Sequence, residues 1–217
     1  MVKLFKYLAD HNWSVDVVAP QGRAGWFLDP SLEPQLKDTH IYRVGVGLST
    51  KRRIQHWRNI AKDPMKSDTG LELLRLIMRG GRIIRNLVAF PDEYLIWAFM
   101  ALVKARNLLV QKKYHVVFTS SFPYSCHLTG AILRRLGGPP WIMDMRDPWA
   151  GHCFRSQSTG WRRIFDQKLE AIAVNTADAI LVALPHMLDE LIGRYGNSLH
   201  NKLHLVTNGF DPQDFTI

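Results

Sequence analysis

Leu4, Phe5, Leu8 and Ala9 repeat at the spacing of one helical face, which predicts a helix over Val2–Asp10, broken by His11-Asn12. Val15–Ala19 is a short apolar run ended by Pro20-Gln21-Gly22 and reads as a strand. Gly22–Lys37, with Pro30 and Pro34, reads as a loop, Ile41–Val46 as a strand, and the polar Lys62–Thr69 as a connection. Leu71–Val88 is amphipathic: Leu73, Leu76, Ile77, Ile83, Ile84, Leu87 and Val88 share one broad face, and Arg75, Arg79, Arg82 and Arg85 cluster on the other side. Phe90-Pro91-Asp92-Glu93 should open the next helix, with proline in its first turn and two acids at the positive end of its dipole. Tyr94–Val110 continues that helix and is apolar enough to be buried, with Trp97 as a packing residue.

The second half alternates more regularly. Strands are predicted at His115–Thr119, Trp141–Met145, Ala179–Leu184 and Leu203–Thr207. Helices are predicted at Tyr124–Leu136 (closed by Gly137-Gly138), Trp161–Asn175 (core spacing at Phe165, Leu169, Ile172 and Ala173) and His186–Tyr195, with a turn over Gly196–Asn201. This alternation implies an α/β domain with a parallel sheet. A doubly wound domain normally opens on a strand and a glycine-rich turn. Here the first element is a helix, so the expected sheet lacks its first strand.

The unit from His115 to Trp149 gathers polar residues at the carboxyl ends of two strands, where open parallel sheets bind ligands. Ser120, Ser121 and Ser125 supply hydroxyls there, and a helix start supplies backbone N–H groups suited to sugar hydroxyls or phosphate. The serines are equally suited to capping. His127, in the first turn of that helix, titrates near neutrality in its ordinary state and is a candidate acid, base or phosphate donor. Arg146 and Asp147 follow their strand directly and fit either ligand binding or loop fixation. Asp144 lies within that strand, and burial there would demand a partner. Trp149 reads as packing.

Composition narrows the classes. The 217 residues are 47% hydrophobic and 22% charged, an ordinary globular balance. Two cysteines, Cys126 and Cys153, give no disulfide framework and fit a reduced compartment. The net charge of +9 is concentrated: Arg43–Arg85 holds 11 basic and 3 acidic residues. Lys51, Arg52, Arg53 and the four arginines at 75, 79, 82 and 85 therefore form a candidate anionic-membrane surface, set against an ordinary solvated face. The sequence contains no P-loop, no G-x-G-x-x-G fingerprint, no nucleophile elbow and no zinc spacing, and no nucleic-acid fold accompanies the basic stretch.

A strand ending SSFPYSCHLTG, then PWIMDMRDPW, then VTNGFDPQDF, with PDEYLIW upstream, resembles the N-terminal half of a GT-B-fold glycosyltransferase of the large family-4 type, from about Val2 to Phe215. The resemblance implies a Rossmann-like, doubly wound half-domain over residues 1–208, and an interdomain linker beginning at 209 with Asn208 and Gly209 at the hinge. It implies a first strand with its Gly-Gly loop and a C-terminal donor domain, neither of which this sequence contains. The intact enzyme would move a sugar from a nucleotide-sugar to a glycan or lipid-linked acceptor with retention, needing no metal or other cofactor. His127 would act in catalysis, and Ser120, Ser121, Ser125, Arg146 and Asp147 would line the acceptor cleft. The expected place is the cytoplasm, peripheral to the inner membrane face, and the chain alone should be inactive. The competing class is a non-catalytic glycan- or anionic-surface-binding module, or a gene remnant.

Overall fold

The computed structural model describes residues 2–21, 39–45, 90–151 and 160–212. The basic stretch with Lys51, Arg52, Arg53, Arg75, Arg79, Arg82 and Arg85 lies outside these residues, as do the 22–37 loop, His152 and Cys153.

The elements run α1 (Val2–Asp10), β1 (Val15–Pro20), β2 (Thr39–Val44), α2 (Leu95–Gln111), β3 (Val117–Ser120), α3 (Ser125–Arg135), β4 (Trp141–Met145), α4 (Gly160–Thr176), β5 (Ala179–Val182), α5 (Pro185–Tyr195), a 3-10 turn (Asn197–Lys202) and β6 (Leu203–Leu205). Among the described residues all pairings are parallel, and the strands form two sheets, β1-β2 and β3-β4-β5-β6. The chain is thus an α/β, Rossmann-like fold, as its alternation implies.

The main core gathers Trp141, Met143 and Met145 of β4, Ile180 and Val182 of β5, and Ala173, Val174, Met187 and Leu191 from the covering helices. At Gly130, α3 meets β4: a Cβ there would lie 2.3 Å from the fully buried Trp141 ring. Gly137, at φ +81°, ends α3, and the Gly138 N–H returns to the Leu133 carbonyl at 3.0 Å.

A second cluster, Trp97, Ala98, Ala101 and Cys126 with Val18 and Val44, packs α2 on β1 and β2 and beside α3. Thus α2 connects the β1-β2 sheet to α3, which in turn packs on β3 and β4. At its far end, Lys112 donates to Asp16 of β1 at 2.9 Å, and the Tyr114 hydroxyl donates to the same carboxylate. Burial alone would raise the Asp16 pKa, but these two donors outweigh it and hold it below the usual range.

Two expectations need correction. Phe90–Tyr94 is a turn ahead of α2, which begins at Leu95; Asp92 accepts from the Tyr94 N–H at 2.9 Å instead of sitting in a first helical turn. The apolar faces of α2 and α4 are also placed differently. Phe99, Met100 and Val103 of α2 are exposed, as are Phe165 and Ile172 of α4, whereas α4 turns Asp166 and Glu170 inward with Ala173 and Val174. For α4 the physical reason lies in the buried donors that Asp166 and Glu170 meet, Trp149, Ala150, Arg194 and Tyr195.

Candidate functional site

The carboxyl ends of β3 and β4 meet in a polar network. The Ser120 hydroxyl donates to Asp144 Oδ2 at 2.7 Å, and Arg146 Nε donates to the same oxygen at 2.9 Å. Arg146 Nη1 reaches Asn208 Oδ1 at 2.6 Å, so one guanidinium ties β4 to the segment leaving β6. Asp144 is 1% exposed, and these are the partners that its burial demands. Arg146 is half-buried at the rim. Asp147 is exposed, and no hydrogen bond or ion pair to it is present among the described residues.

The other predicted groups lie deeper. Ser121 is buried, with its N–H 3.0 Å and its hydroxyl 3.4 Å from the Asp144 carbonyl. Ser125 is fully buried; its N–H (2.9 Å) and hydroxyl (2.8 Å) both go to Asp92. The next two N–H groups of α3 bond to Pro123 and Tyr124 carbonyls. The expected open helix start is therefore filled: one carboxylate, 33 residues upstream, takes the position foreseen for a ligand.

His127 is also fully buried. Trp141 Nε1 donates to Thr119 Oγ1 at 2.9 Å, which leaves the threonine proton to bond His127 Nδ1 at 2.8 Å. With Nδ1 accepting, the neutral ring carries its proton on Nε2, a buried atom with no partner among the described residues. Burial pushes the His127 pKa down to about 3, so the imidazole is neutral near pH 7.

An aromatic run borders this edge. Phe122 is exposed between the rings of Tyr94 and Tyr124, with centroids 5.7 Å from each, and Tyr124 stacks on Trp149 at 5.5 Å. The Ser121–Phe122 and Phe122–Pro123 peptides are both cis.

Below the rim, the turn after β4 is clamped by α4. Trp149 Nε1 donates to Asp166 Oδ1 at 3.0 Å, and the Ala150 N–H to Glu170 Oε1 at 3.1 Å. Glu170 Oε2 also receives Arg194 Nη1 and the Tyr195 hydroxyl, each at 2.5 Å. Arg194 bonds Glu190 as well. Burial, with the Glu170 charge beside it, raises the Tyr195 pKa well above the phenolic range. Sequence reasoning missed Asp92, Asp166, Glu170 and Phe122. The acids carried one available signal, since an i, i+4 carboxylate pair interrupts the apolar stripe of α4.

After β6, Asn208 and Gly209 are exposed, and two residues later the buried Asp211 accepts from Lys6 Nζ at 2.9 Å and the Tyr7 hydroxyl at 2.8 Å. The exit path is thus fixed against α1. Gly209 has no positive φ, and a Cβ there would touch nothing, so no steric demand selects glycine at that position. No cluster of metal-ligating side chains is present among the described residues.

Parallel strands with polar groups converging at their carboxyl ends define an α/β domain of the kind that binds ligands along its sheet edge. Residues 1–209 match the Glycosyl transferase 4-like domain, and the chain belongs to that family. The domain therefore serves glycosyl transfer, with a sugar donor and an acceptor as its substrates. No curated protein matches the chain. Among the described residues, no helix is long and apolar enough to cross a membrane.

Proposed function

We propose that this chain is the acceptor-binding half of a retaining, two-domain GT-B glycosyltransferase. A nucleotide-sugar is held by a second domain, the acceptor is a glycan or lipid-linked sugar, and the chain alone does not turn over. Residues 1–208 form the acceptor half and the segment from 209 the start of the linker, with Asn208 and Gly209 at the hinge. The enzyme works in the cytoplasm against the inner membrane face, in polysaccharide biosynthesis.

The observation that carries this reading is the Ser120–Asp144–Arg146–Asn208 network, which sets a cation and an exposed carboxylate (Asp147) at the rim beside the hinge segment. Asp147 accepts from sugar hydroxyls. Arg146 faces developing negative charge on the leaving diphosphate once the second domain closes and water is excluded. Phe122 offers an apolar ring to a sugar face. Ser121, Ser125 and His127 act from beneath as positioning groups. The neutral His127 ring packs 6.2 Å from Trp149 and holds Thr119, rather than shuttling protons at pH 7.

The test uses the chain alone and the chain joined to a donor domain of its family. Oligosaccharide and lipid-linked acceptors should bind the chain alone, weakened by Arg146→Ala, with no turnover of any nucleotide-sugar; transfer should appear only in the joined protein. Tight nucleotide-sugar binding to the chain alone, weakened by Arg146→Ala, would reverse the assignment. Glycan binding without transfer in the joined protein would make this a binding module.

A further inference from the structure

Helices α2, α3 and α4 lie side by side, α3 being packed between the other two. Their outer surface is unusual in two respects. The first is apolar exposure. Phe99, Met100 and Val103 of α2 and Trp161, Ile164 and Phe165 of α4 are each about half exposed, the highest being Val103 at 59%. Phe90, just ahead of α2, packs on the α4 residues, with its ring 6.1 Å from Trp161 and 6.2 Å from Phe165. Exposed apolar surface on neighbouring helices marks an interaction face.

The second is the sign of the charge. Neither α2 nor α3 contains an acid. The two acids of α4, Asp166 and Glu170, are 2% and 1% exposed and spent on Trp149, Ala150, Arg194 and Tyr195. The exposed charges within the three helices are positive, with Arg106 on α2, Arg135 on α3, and Arg163 and Lys168 on α4; the exposed acids Glu93, ahead of α2, and Asp178, paired with Arg134 just past α4, lie at their ends. By contrast α5 exposes Asp189. An apolar surface with cations in excess along its helices complements an anionic bilayer, whose headgroups pair with the cations while the rings enter the boundary layer.

We infer that the α2–α4 face docks on an anionic membrane, with Phe99, Val103, Trp161 and Phe165 entering the headgroup boundary and Arg106, Arg163 and Lys168 meeting lipid phosphates. The inference rests on the peripheral location proposed above but assigns it to residues distinct from Lys51–Arg53 and the arginines at 75–85. It does not depend on sugar transfer.

The test is co-sedimentation of the full chain with vesicles of equal parts phosphatidylglycerol and phosphatidylcholine, against pure phosphatidylcholine. Binding to the anionic vesicles alone, falling as salt rises, is expected. Arg163→Glu with Lys168→Glu should lower partitioning more than tenfold, at about fivefold for each cation lost. Phe99→Ser with Val103→Ser should lower it about as far, and both pairs are exposed enough to leave the melting temperature unchanged. Anionic vesicles should also shift tryptophan emission to the blue, by an amount that Trp161→Phe reduces. If only Lys51→Glu, Arg52→Glu and Arg53→Glu together abolish binding, the membrane location stands and this face falls. If no vesicle binds, both fall. If sedimentation equilibrium instead shows a dimer broken by Phe99→Ser, the face joins two copies and the membrane inference is overturned.

Discussion

The turn after β4 has two halves that look in opposite directions. Arg146 and Asp147 stand at the rim, one half-buried and one exposed. Trp149 and Ala150 are buried and held by Asp166 and Glu170. Both halves are polar at the backbone, yet only the inner one is saturated with partners. The inner half gives the turn a fixed shape, and the outer half is thereby presented in one geometry, with Arg146 spending only part of its donors on Asp144 and Asn208 and Asp147 keeping its carboxylate unspent among the described residues. A rigid inside and an unsaturated outside is what a binding edge requires.

Removing the inner clamp should have the largest effect. Glu170→Ala leaves Arg194 with Glu190 alone, leaves the Tyr195 hydroxyl only the Gln167 carbonyl at 3.3 Å, and deprives the Ala150 N–H of its acceptor. Breaking a buried pair from one side costs roughly 3–5 kcal/mol. Urea unfolding checks this, and a loss no larger than that of Arg146→Ala would erase the distinction between the halves.

His127 sharpens the same contrast through pH. Its folded pKa, about 3, lies below the ordinary 6.5 because burial disfavours the charged ring. The unfolded chain therefore binds the extra proton first. The contribution is fully present above pH 6.5 and is lost as pH falls toward 3, at about 1.4 kcal/mol per pH unit. Stability measured from pH 7 to 4 should fall more steeply in the wild type than in His127→Phe, by about 3 kcal/mol at pH 4. Parallel curves would mean that the ring reaches water or a carboxylate when folded.

Gly130→Ala tests whether the platform beneath the turn can yield. The added methyl would strike Trp141, which cannot slide without losing its 2.9 Å bond to Thr119. Overpacking of this kind costs about 1–3 kcal/mol. A thermal melt within a degree of the wild type would show that α3 can lift from β4.

Much of this architecture was legible in the chain. Trp141–Met145 reads as a strand because a short apolar run is bounded by Pro139-Pro140 and Arg146-Asp147, and the observed strand has those bounds. The rim residues Arg146 and Ser120 were legible too, since a polar group directly after such a run falls at the strand's end. What sequence periodicity hid was long-range. Asp92 looks like a helix-dipole acid, and only folding brings it to Ser125, 33 positions away. Asp166 and Glu170 look like solvent-facing residues. They turn inward because Trp149, Arg194 and Tyr195 wait there, which rotates Phe165 and Ile172 outward. A pattern rule assigns faces by hydrophobicity alone, and a saturated carboxylate defeats it.

The smallest expected change in stability is the most informative about the outer half. Asp147 is exposed, and no bond to it is present among the described residues, so Asp147→Asn should alter unfolding free energy by less than about 0.5 kcal/mol. Hydrogen bonds to a charged group contribute about 1.5–3 kcal/mol each when formed. If the rim is where acceptor hydroxyls bind, the same substitution should weaken acceptor affinity by at least about tenfold, measured by calorimetry. Arg146→Ala should do both, costing about 1–2 kcal/mol of stability through Asp144 as well as affinity, since water entering the vacated space and the remaining Ser120 bond soften the loss. The two variants therefore separate presentation from recognition: a change in binding without a change in stability at Asp147 is the signature of a surface that the fold holds ready but does not use.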